Sequence, residues 1–325
     1  MSKAVRIHQT GGPEQLRIDD VQVGEPGPGE IRIRHKAVGL NFIDVYHRTG
    51  LYPLPLPAVL GGEGAGIVEA VGEGVTHLKV GDRAAYASGQ PGSYSEVRVM
   101  KALHVCKLPD AISFETGAAM MLKGLTAQYL LKRSPLGQLQ AGDKILFHAA
   151  AGGVGLIACQ WAKALGYELI GTAGSDEKCA LAKEHGAAHV VNYNKEDFLA
   201  RVKEITGGKG VPVVYDSVGK DTLDASLSCL RPRGTLVSNG TSSGPVVVDT
   251  MQLAVKGSLW ITRPAMIHYI MPRSHMLEMA AEVFGMVLTG KIKSEPSRTY
   301  ALADAADAHR ALESRQTTGS VVLLP

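Results

Sequence analysis

The sequence has few cysteines and no typical export signal. Its four cysteines lie far apart among 325 residues and form no C-x-x-C pair. This spacing excludes the disulfide-dense framework of a small secreted domain. The opening residues, MSKAVRIHQTGG, contain neither an apolar h-region nor a small-residue cleavage site. We therefore expect no signal peptide and a cytoplasmic location.

A membrane span is not expected either. The longest weakly polar stretch, residues 145–162, contains glycines at positions 152, 153 and 155 and begins with a β-type run. A buried strand, a turn and a helix explain this pattern better than a membrane helix, which needs about 20 consecutive apolar residues.

The charge balance excludes another class of partner. The 34 basic and 31 acidic residues leave a net charge of +3, and no run of Arg and Lys is interleaved with aromatic residues. We therefore expect neither a nucleic-acid nor a membrane-surface footprint. With 45% hydrophobic and 20% charged residues, the chain has globular composition, and its length favours two domains.

The pattern along the chain predicts an α/β protein. Residues 1–123 contain short β-like runs, such as IRIRHKAVGL and YSEVRVM, separated by glycine and proline. In residues 124–264, wholly apolar runs such as KILF and VPVVY alternate with helical segments, which is typical of a parallel sheet covered on both faces. Residues 265–325 end in the strand-like SVVLLP and are expected to return to the first part. The predicted fold is a doubly wound Rossmann sheet inserted in a β-rich domain.

Helix ends in the second part carry the expected residues. Ser175 is placed to cap the helix that follows it. Gly166, Gly186 and Gly207 stand where left-handed residues end helices.

A glycine-rich turn follows the strand KILF and precedes a helix. Its sequence is Ala-Ala-Ala-Gly-Gly-Val-Gly over residues 149–155. A diphosphate needs exposed backbone amides at a helix N-terminus and no side chain that keeps it away. The turn therefore predicts dinucleotide binding by Ala151, Gly152, Gly153, Val154 and Gly155.

The end of the next strand favours NADPH over NADH. NAD-specific Rossmann domains usually place an acid there to bind the ribose hydroxyl. Gly171 to Ser175 contain no acid, and the small polar segment around Gly174 and Ser175 is followed by Lys178, which suits a 2′-phosphate. Asp176 is the alternative ribose ligand, although its position also suits a first-turn acid of the helix.

These residues resemble a known family. The stretch GDKILFHAAAGGVG, with Gln160 and Lys163 after it, resembles the signature of the quinone oxidoreductase and ζ-crystallin family of the medium-chain dehydrogenase/reductase superfamily. The segments GLNFIDVYHRTGLYP, PAVLGGEGAG, GLTAQYLL and ESRQTTGSVVLLP resemble the same family in order and spacing. The resemblance implies a GroES-like catalytic domain, residues 1–123 and 265–325, that holds a Rossmann NADPH-binding domain, residues 124–264, with an active cleft between them. It further implies Lys178, Tyr193 and Arg315 around the 2′-phosphate, and Asn239 or Thr241 near the nicotinamide half.

Zinc-dependent members of the superfamily differ at the metal ligands. Their catalytic zinc takes a Cys near the position of Asn41 and a His at that of Gly62, and their structural zinc takes four clustered cysteines where this chain has Cys106 alone. Since zinc sites need three or four suitable ligands, we expect no metal.

Without a metal, the reduction of an activated acceptor is the expected chemistry. A quinone or enone is already electrophilic and needs only orientation and hydrogen bonds to its oxygen. The resemblance places Asn41, Tyr46 and Tyr52 at the cleft, with Tyr46 as the main donor, Asn41 on the nicotinamide side and Tyr52 shaping the pocket. Both tyrosines could instead be loop residues that pack their rings.

Two acids have open interpretations. Asp44 could serve the cleft or form a salt bridge with Arg48. Asp216, at the end of VPVVYDSVG, could contact a ligand or cap a helix that begins at Asp221.

The predicted function is NADPH-dependent, metal-free quinone reduction. Two alternatives remain: reduction of enones or enoyl groups, and a non-catalytic ζ-crystallin-like role as an RNA-binding or structural protein. A homodimer is expected through the strand-like SLWITRP of residues 258–264.

Overall fold

The chain forms two compact units. The computed structural model describes residues 1–87, 90–134 and 139–325. Unit 1 comprises Met1–Leu125 and Tyr269–Pro325, and unit 2 comprises Thr126–His268. The domain limits expected from the sequence lie a few residues from these limits.

Unit 1 is rich in strands, as its pattern predicts. Its first segment contains the strands β1 (Ser2–Ile7), β2 (Arg17–Val21), β3 (Glu30–Leu40), β4 (Ala58–Val59), β5 (Glu63–Val71), β6 (Arg83–Ala87), β7 (Val97–Lys101) and β8 (Val105–Lys107), and the helix α1 (Phe42–Thr49). The helix α2 (Phe114–Lys132) runs past the end of this segment.

Unit 2 alternates strands with helices. Its elements are β9 (Lys144–Phe147), α3 (Gly153–Leu165), β10 (Glu168–Ala173), α4 (Asp176–Glu184), β11 (His189–Asn192), α5 (Phe198–Ile205), β12 (Val211–Asp216), α6 (Leu223–Cys229), β13 (Leu230–Ser238), α7 (Thr250–Val255) and β14 (Trp260–Thr262). The last part of the chain contains α8 (Met266–Ile270), α9 (Arg273–Leu288), β15 (Arg298–Ala301), α10 (Ala305–Glu313) and β16 (Val321–Leu324).

Two sheets organise unit 1. One has the order β2-β1-β4, and the other has the order β15-β16-β3-β5-β6-β8 with β7 also paired to β3. Strand β3 alternates buried and accessible residues along IRIRH, so one of its faces lies in the core. Ile33 pairs with Val68 of β5, and both are fully buried. The terminal strand β16 pairs antiparallel with β3, which confirms that the end of the chain returns to the first part.

The sheet of unit 2 is parallel throughout its described pairs. Its order is β11-β10-β9-β12-β13-β14, the doubly wound order of a Rossmann fold. The strands are apolar on both faces because helices cover both, and Leu146, Ile170 and Val214 are fully buried. In such sheets, ligands bind outside the carboxyl ends of the strands, where the chain crosses from one half to the other. Strands β9 and β12 flank that point.

The predicted helix ends are confirmed. Ser175 Oγ accepts a hydrogen bond from the Lys178 amide at 3.3 Å and caps α4. Gly166, Gly186 and Gly207 all have positive φ, at +78°, +102° and +57°. Glycine adopts this left-handed conformation without the steric cost that a Cβ atom adds.

Helix α1 is the main local difference from expectation. It runs through Phe42–Thr49, so Tyr46 lies on a helix and not in a loop. Asn41 is its N-cap, Asp44 completes a capping box, and Gly50 ends it with φ +83°. This pattern of Asn, an acid three residues later and a closing glycine is a helix signal in the sequence.

Within the described residues, no helix is long and apolar enough to span a membrane.

Candidate functional site

The connection between β9 and α3 requires glycine at position 155, in the first turn of α3. A Cβ atom on Gly155 would lie 2.4 Å from the Ala149 carbonyl oxygen and 2.6 Å from that of Ala150. Real Cβ atoms do not approach other atoms so closely. Ala149 itself is left-handed, with φ +54°, which costs an alanine about 1–2 kcal/mol and is typical of ligand-binding turns.

The first turn of α3 presents backbone amides. Amides at a helix start have no acceptor within the helix, and the N-cap, Gly152, has no side chain to offer one. Gly152, Gly153 and Val154 are accessible, whereas Ala151 and Gly155 are buried and support the turn. The dipole of α3 adds partial positive charge at this end. This cradle fits the diphosphate of a dinucleotide.

A second group of predicted residues meets at the carboxyl ends of β10 and β11. A Cβ atom on Gly174 would lie 2.5 Å from the hydroxyl oxygen of Tyr193, so the tyrosine stands directly over this glycine. Ser175 caps α4, Lys178 lies in the first turn of that helix, and both are half-buried, whereas Tyr193 is exposed. The structure therefore brings Tyr193 to Gly174, and Ser175 and Lys178 follow Gly174 at the start of α4.

Asp176, the alternative ribose ligand, is engaged with the protein. Its Oδ1 accepts a hydrogen bond from Asn192 Nδ2 at 2.8 Å, and its Oδ2 pairs with Lys195 Nζ. The hydrogen bonds from Lys195 and Asn192 hold the pKa of Asp176 below its usual value. Both carboxylate oxygens are thus used locally, which favours a phosphate over a bare ribose at this strand end.

The loop after β13 contains Asn239 and Thr241. The Asn239 amide donates to the Asp216 carbonyl at 2.8 Å and ties the loop to the end of β12. The Oδ1 atom of Asn239 is buried and has no hydrogen-bond partner in the structure. A buried acceptor without a partner is costly unless a ligand or water satisfies it. The carboxamide or a ribose hydroxyl of a nicotinamide nucleotide fits this need.

Arg263 supports the same loop and was not identified from the sequence. Its guanidinium donates to Ser238 Oγ at 3.0 Å and to the Gly240 carbonyl at 2.7 Å. No local motif marks this contact, because the arginine follows β14 and reaches back across 23 residues to Gly240.

A buried network lies beneath the glycine turn and was also missed. His148, which precedes the turn, contacts Thr172 Oγ1 through Nδ1 and Ser226 Oγ through Nε2, both at 2.9 Å. Ser226 in turn donates to Asp216 Oδ2 at 2.7 Å. Burial lowers the pKa of His148, so the neutral imidazole is favoured. The network joins β9, β10, β12 and α6 where the turn begins.

Asp216 has a structural role in this network. Its Oδ1 accepts from the amides of Val218 and Gly219 at 2.8 and 3.0 Å, and both oxygens accept from Thr222 Oγ1. These contacts favour the capping interpretation over ligand contact. The helix that follows begins at Leu223, slightly later than the expected Asp221.

In unit 1, helix α1 and the segment after it bring the two predicted tyrosines together. The rings of Tyr46 and Tyr52 meet edge to face, with centroids 5.3 Å apart. The Tyr52 amide donates to the Tyr46 carbonyl at 3.0 Å and fixes the chain after the helix. Tyr46 is 8% exposed, so its ring packs as a core residue does.

Asn41, at the start of the same helix, is held at two points. Its backbone N–H donates to Asp44 Oδ2 at 2.9 Å, and its side-chain Nδ2 donates to Glu63 Oε2 at 2.8 Å. Asn41, Asp44 and Glu63 are all buried. Burial raises the pKa of Asp44 to about 7, although hydrogen bonds from Asn41 and Tyr94 oppose the shift.

The alternative salt bridge between Asp44 and Arg48 is wrong. Arg48 is 1% exposed and pairs with Glu313, at 2.7 Å between Nη2 and Oε1. Asp44 instead accepts from the Tyr94 hydroxyl at 3.0 Å. The sequence could not show this, because Glu313 and Tyr94 are remote along the chain.

Among the described residues, no three or more His, Cys, Asp or Glu side chains form a group able to hold a metal ion. At the positions that correspond to two zinc ligands, the Asn41 amide is bound to Glu63, and Gly62 has no side chain.

Arg315 belongs to unit 1, whereas the other predicted cofactor residues belong to unit 2. It is exposed, follows α10 and is left-handed with φ +58°. Its part in cofactor binding stays a prediction.

Comparison with known proteins identifies the family. Residues 27–110 match the alcohol dehydrogenase GroES-like domain, and residues 153–290 match the zinc-binding dehydrogenase family. The chain is 55% identical to a quinone oxidoreductase of Pseudomonas aeruginosa, with all of both chains covered. It is 46% identical to a 2-haloacrylate reductase of a Burkholderia species, covering 100% of this chain and 99% of that protein.

A solved structure shows the same fold. The crystal structure of Escherichia coli quinone oxidoreductase complexed with NADPH superposes with a TM-score of 0.97 at 50% identity, covering 99% of this chain and 100% of that one. The GroES-like and Rossmann fold predicted from the sequence is thereby confirmed. The chain belongs to the quinone oxidoreductase family of the medium-chain dehydrogenase/reductase superfamily.

Proposed function

We propose that this protein is an NADPH-dependent quinone oxidoreductase. The observation that carries the proposal is the start of α3, where the N-cap Gly152 has no side chain to bind the first helical amides and leaves them open to a diphosphate. The full-length relatives named quinone oxidoreductase and the relative crystallised with NADPH support it. These relatives favour an enzyme over the non-catalytic, ζ-crystallin-like alternative.

Three groups of residues would hold the cofactor. The diphosphate would lie on the turn of residues 151–155. The 2′-phosphate would lie between Lys178 and Tyr193 over Gly174 and Ser175, with Arg315 as a further cation. Asn239 and Thr241 would contact the nicotinamide half, where the unpaired Asn239 Oδ1 would gain a donor.

The side chains of α1 would act on the acceptor. When bound, NADPH supplies the reducing equivalents for reduction of the quinone. Tyr46 would donate a hydrogen bond to the carbonyl oxygen, whose charge grows during reduction. Asn41 would orient the nicotinamide side of the site, and Tyr52, packed on Tyr46, would shape the pocket.

Reduction would proceed without a metal. A quinone is electrophilic enough that hydrogen-bond donors can replace a Lewis acid. The residue types at positions 41 and 62 support this, since an amide already bound to Glu63 and a glycine are poor replacements for thiolate and imidazole.

Enone reduction is the second candidate, and the 2-haloacrylate reductase among the relatives is the observation in its favour. An activated alkene needs the same donors at its carbonyl. The quinone is preferred because relatives of higher identity carry that name.

The test is oxidation of NADPH and of NADH by a quinone or an enone, and reduction of NADP⁺ and of NAD⁺ by a simple alcohol, each with and without a chelator. We expect turnover of the quinone with NADPH, unchanged by chelation. Turnover of the alcohol alone, abolished by the chelator, would show a zinc alcohol dehydrogenase instead.

A homodimer is proposed through the edge strand β14. This strand ends the sheet of unit 2 with one side unpaired by the described strands. Trp260 on the strand and Met251 and Val255 on α7 are 55%, 65% and 82% exposed. A second copy related by a two-fold axis would pair with the edge and cover these side chains.

A cytoplasmic location is proposed as well. All four cysteines are buried free thiols, as a reducing compartment favours.

A further inference from the structure

A buried ion pair stands behind Asn41. Glu63, the first residue of β5, is fully buried, and Lys123, in α2, is 5% exposed. Lys123 Nζ lies 3.2 Å from Glu63 Oε2. Neither residue was identified as a site residue from the sequence, and neither has a role in the proposed mechanism so far.

Three donors converge on the Glu63 carboxylate. Oε1 accepts from the Leu122 amide at 2.6 Å, and Oε2 accepts from both Lys123 Nζ and Asn41 Nδ2. Gly39 makes room for this group, because a Cβ atom there would lie 2.2 Å from Oε2. These three hydrogen bonds fix the position of the Glu63 carboxylate.

This arrangement fixes the orientation of the Asn41 amide. A carboxylate accepts hydrogen bonds and cannot donate one, so only the NH₂ end of Asn41 can face Glu63. One N–H of that group is used by Glu63, which leaves the second N–H and the carbonyl end in defined directions. The backbone of Asn41 is fixed separately by its hydrogen bond to Asp44.

We propose that Glu63 and Lys123 form a positioning pair that holds the Asn41 side chain ready for the acceptor. This inference rests on the proposed function, in which Asn41 contacts the acceptor or the nicotinamide side. Lys123 supplies the positive charge that compensates the buried Glu63 carboxylate. Glu63 in turn fixes the Asn41 side-chain amide through their hydrogen bond.

Stability alone does not explain the pair. Desolvation of two buried charges offsets most of their attraction, so apolar residues of similar volume often replace such pairs without loss of stability. Positioning, by contrast, needs a charged acceptor at this point. A small displacement of a group that orients reactants can lower a rate by about 100-fold.

The experiment is a double-mutant cycle between the pair and Asn41. The pair variants are Glu63→Gln and the double variant Glu63→Met with Lys123→Met, called the neutral pair. Asn41→Ala is made alone and in combination with each pair variant. The neutral pair leaves no buried charge unpaired, so it tests positioning if Glu63→Gln fails to fold. Steady-state kcat and KM are measured with a quinone and NADPH, and thermal melts monitor folding.

We expect kcat to fall about tenfold for the pair variants when Asn41 is present, with the KM for NADPH within about twofold of wild type. In the Asn41→Ala background, the same changes should alter kcat less than about twofold. Glu69→Gln is the control: Glu69 lies on β5 with Glu63, its carboxylate accepts from Arg34 of β3, and its loss should leave kcat unchanged.

Two failures are distinguishable. If wild type turns over quinone and the losses from the pair and from Asn41 simply multiply, the positioning role is overturned while the proposed function stands. If wild type consumes no NADPH with any acceptor, the proposed function and the inference that rests on it both fail.

Discussion

Asp44 combines complete burial with a carboxylate oxygen, Oδ1, that has no hydrogen-bond partner in the structure. Its other oxygen accepts from Asn41 and Tyr94. Burial penalises the charged form, and the pKa rises from 3.8 to about 7. A capping acid beside the proposed acceptor site is thus also a titrating group near neutral pH.

The raised pKa has a definite effect on stability. The folded state binds the Asp44 proton more tightly than the unfolded state does, so the free energy of unfolding falls as pH rises from about 4 to about 7. Asp44→Asn removes this loss and should become more stable relative to wild type across that range, by up to about 4 kcal/mol. Urea unfolding of both proteins at several pH values measures the difference.

Asp304→Asn provides the control for this titration. Asp304 is exposed in the same unit and makes no capping hydrogen bond. Its difference from wild type over the same pH range is the baseline for Asp44→Asn. A pH dependence of Asp44→Asn no larger than that baseline would contradict the buried titration.

Lys178 is the second residue whose role can be isolated. In the proposed site its ammonium faces the 2′-phosphate, and a hydrogen bond to a charged group contributes about 1.5–3 kcal/mol. Lys178→Ala should therefore weaken NADPH binding by tenfold or more and NADH binding by about twofold or less. Fluorescence titration with each nucleotide measures both constants.

Lys183 lies on the same helix and is exposed. Lys183→Ala should leave both affinities unchanged, which controls for the loss of a positive charge on α4. Equal losses of NADPH and NADH affinity in Lys178→Ala would remove this lysine from the phosphate site.

At the scale of elements, α3 and the turn before it together form the proposed diphosphate site. The helix supplies amides and a dipole, and the glycine at 155 allows the helix to lie against the end of β9. Changing that single residue should disturb the whole cradle.

Gly155→Ala places a methyl group 2.4 Å from a backbone oxygen, so the turn must shift. We expect NADPH affinity to fall at least tenfold, because the amides no longer converge on one point. Nucleotide titration together with circular dichroism separates lost binding from lost folding.

Gly285→Ala on α9 is the matched substitution. A Cβ atom there meets nothing within 4 Å. It should leave NADPH binding intact and stabilise the helix by up to about 1 kcal/mol. Wild-type affinity in Gly155→Ala would show that the turn does not hold the cofactor.

At the scale of the whole molecule, the exposed edge at β14 determines the proposed assembly. Trp260→Arg puts a charge into the interface of the proposed dimer, so the variant should sediment as a monomer at low micromolar concentration. Val80→Arg changes an apolar side chain that is 61% exposed in unit 1, and this variant should remain dimeric. A monomeric wild type under the same conditions would contradict the dimer.

Much of the fold follows from local patterns in the sequence. The apolar strands of unit 2 and the caps at Ser175 and Gly166 are local signals, and the structure confirms them. The glycine turn is recognisable for the same reason, since its backbone geometry is set by residues adjacent in the chain. Helix α1 was missed although Asn41, Asp44 and Gly50 carry its capping signals.

Contacts between remote residues could not be predicted in this way. Asp44 was weighed as a partner of Arg48, four residues away, but its partner is Tyr94, and Arg48 pairs with Glu313. Nothing near Glu63 in the sequence points to Lys123, 60 residues later. Such pairings depend on which strands and helices pack together.

The sequence by itself determined the two-part organisation, the parallel sheet and the glycine turn, because strand periodicity, capping and backbone freedom act over a few residues. Only the tertiary structure decided which acids are buried, that the pKa of Asp44 is raised to about 7 and that Lys123 pairs with the buried Glu63. Those properties arise from desolvation and from distances between residues far apart in the chain, and both exist only once the units have folded.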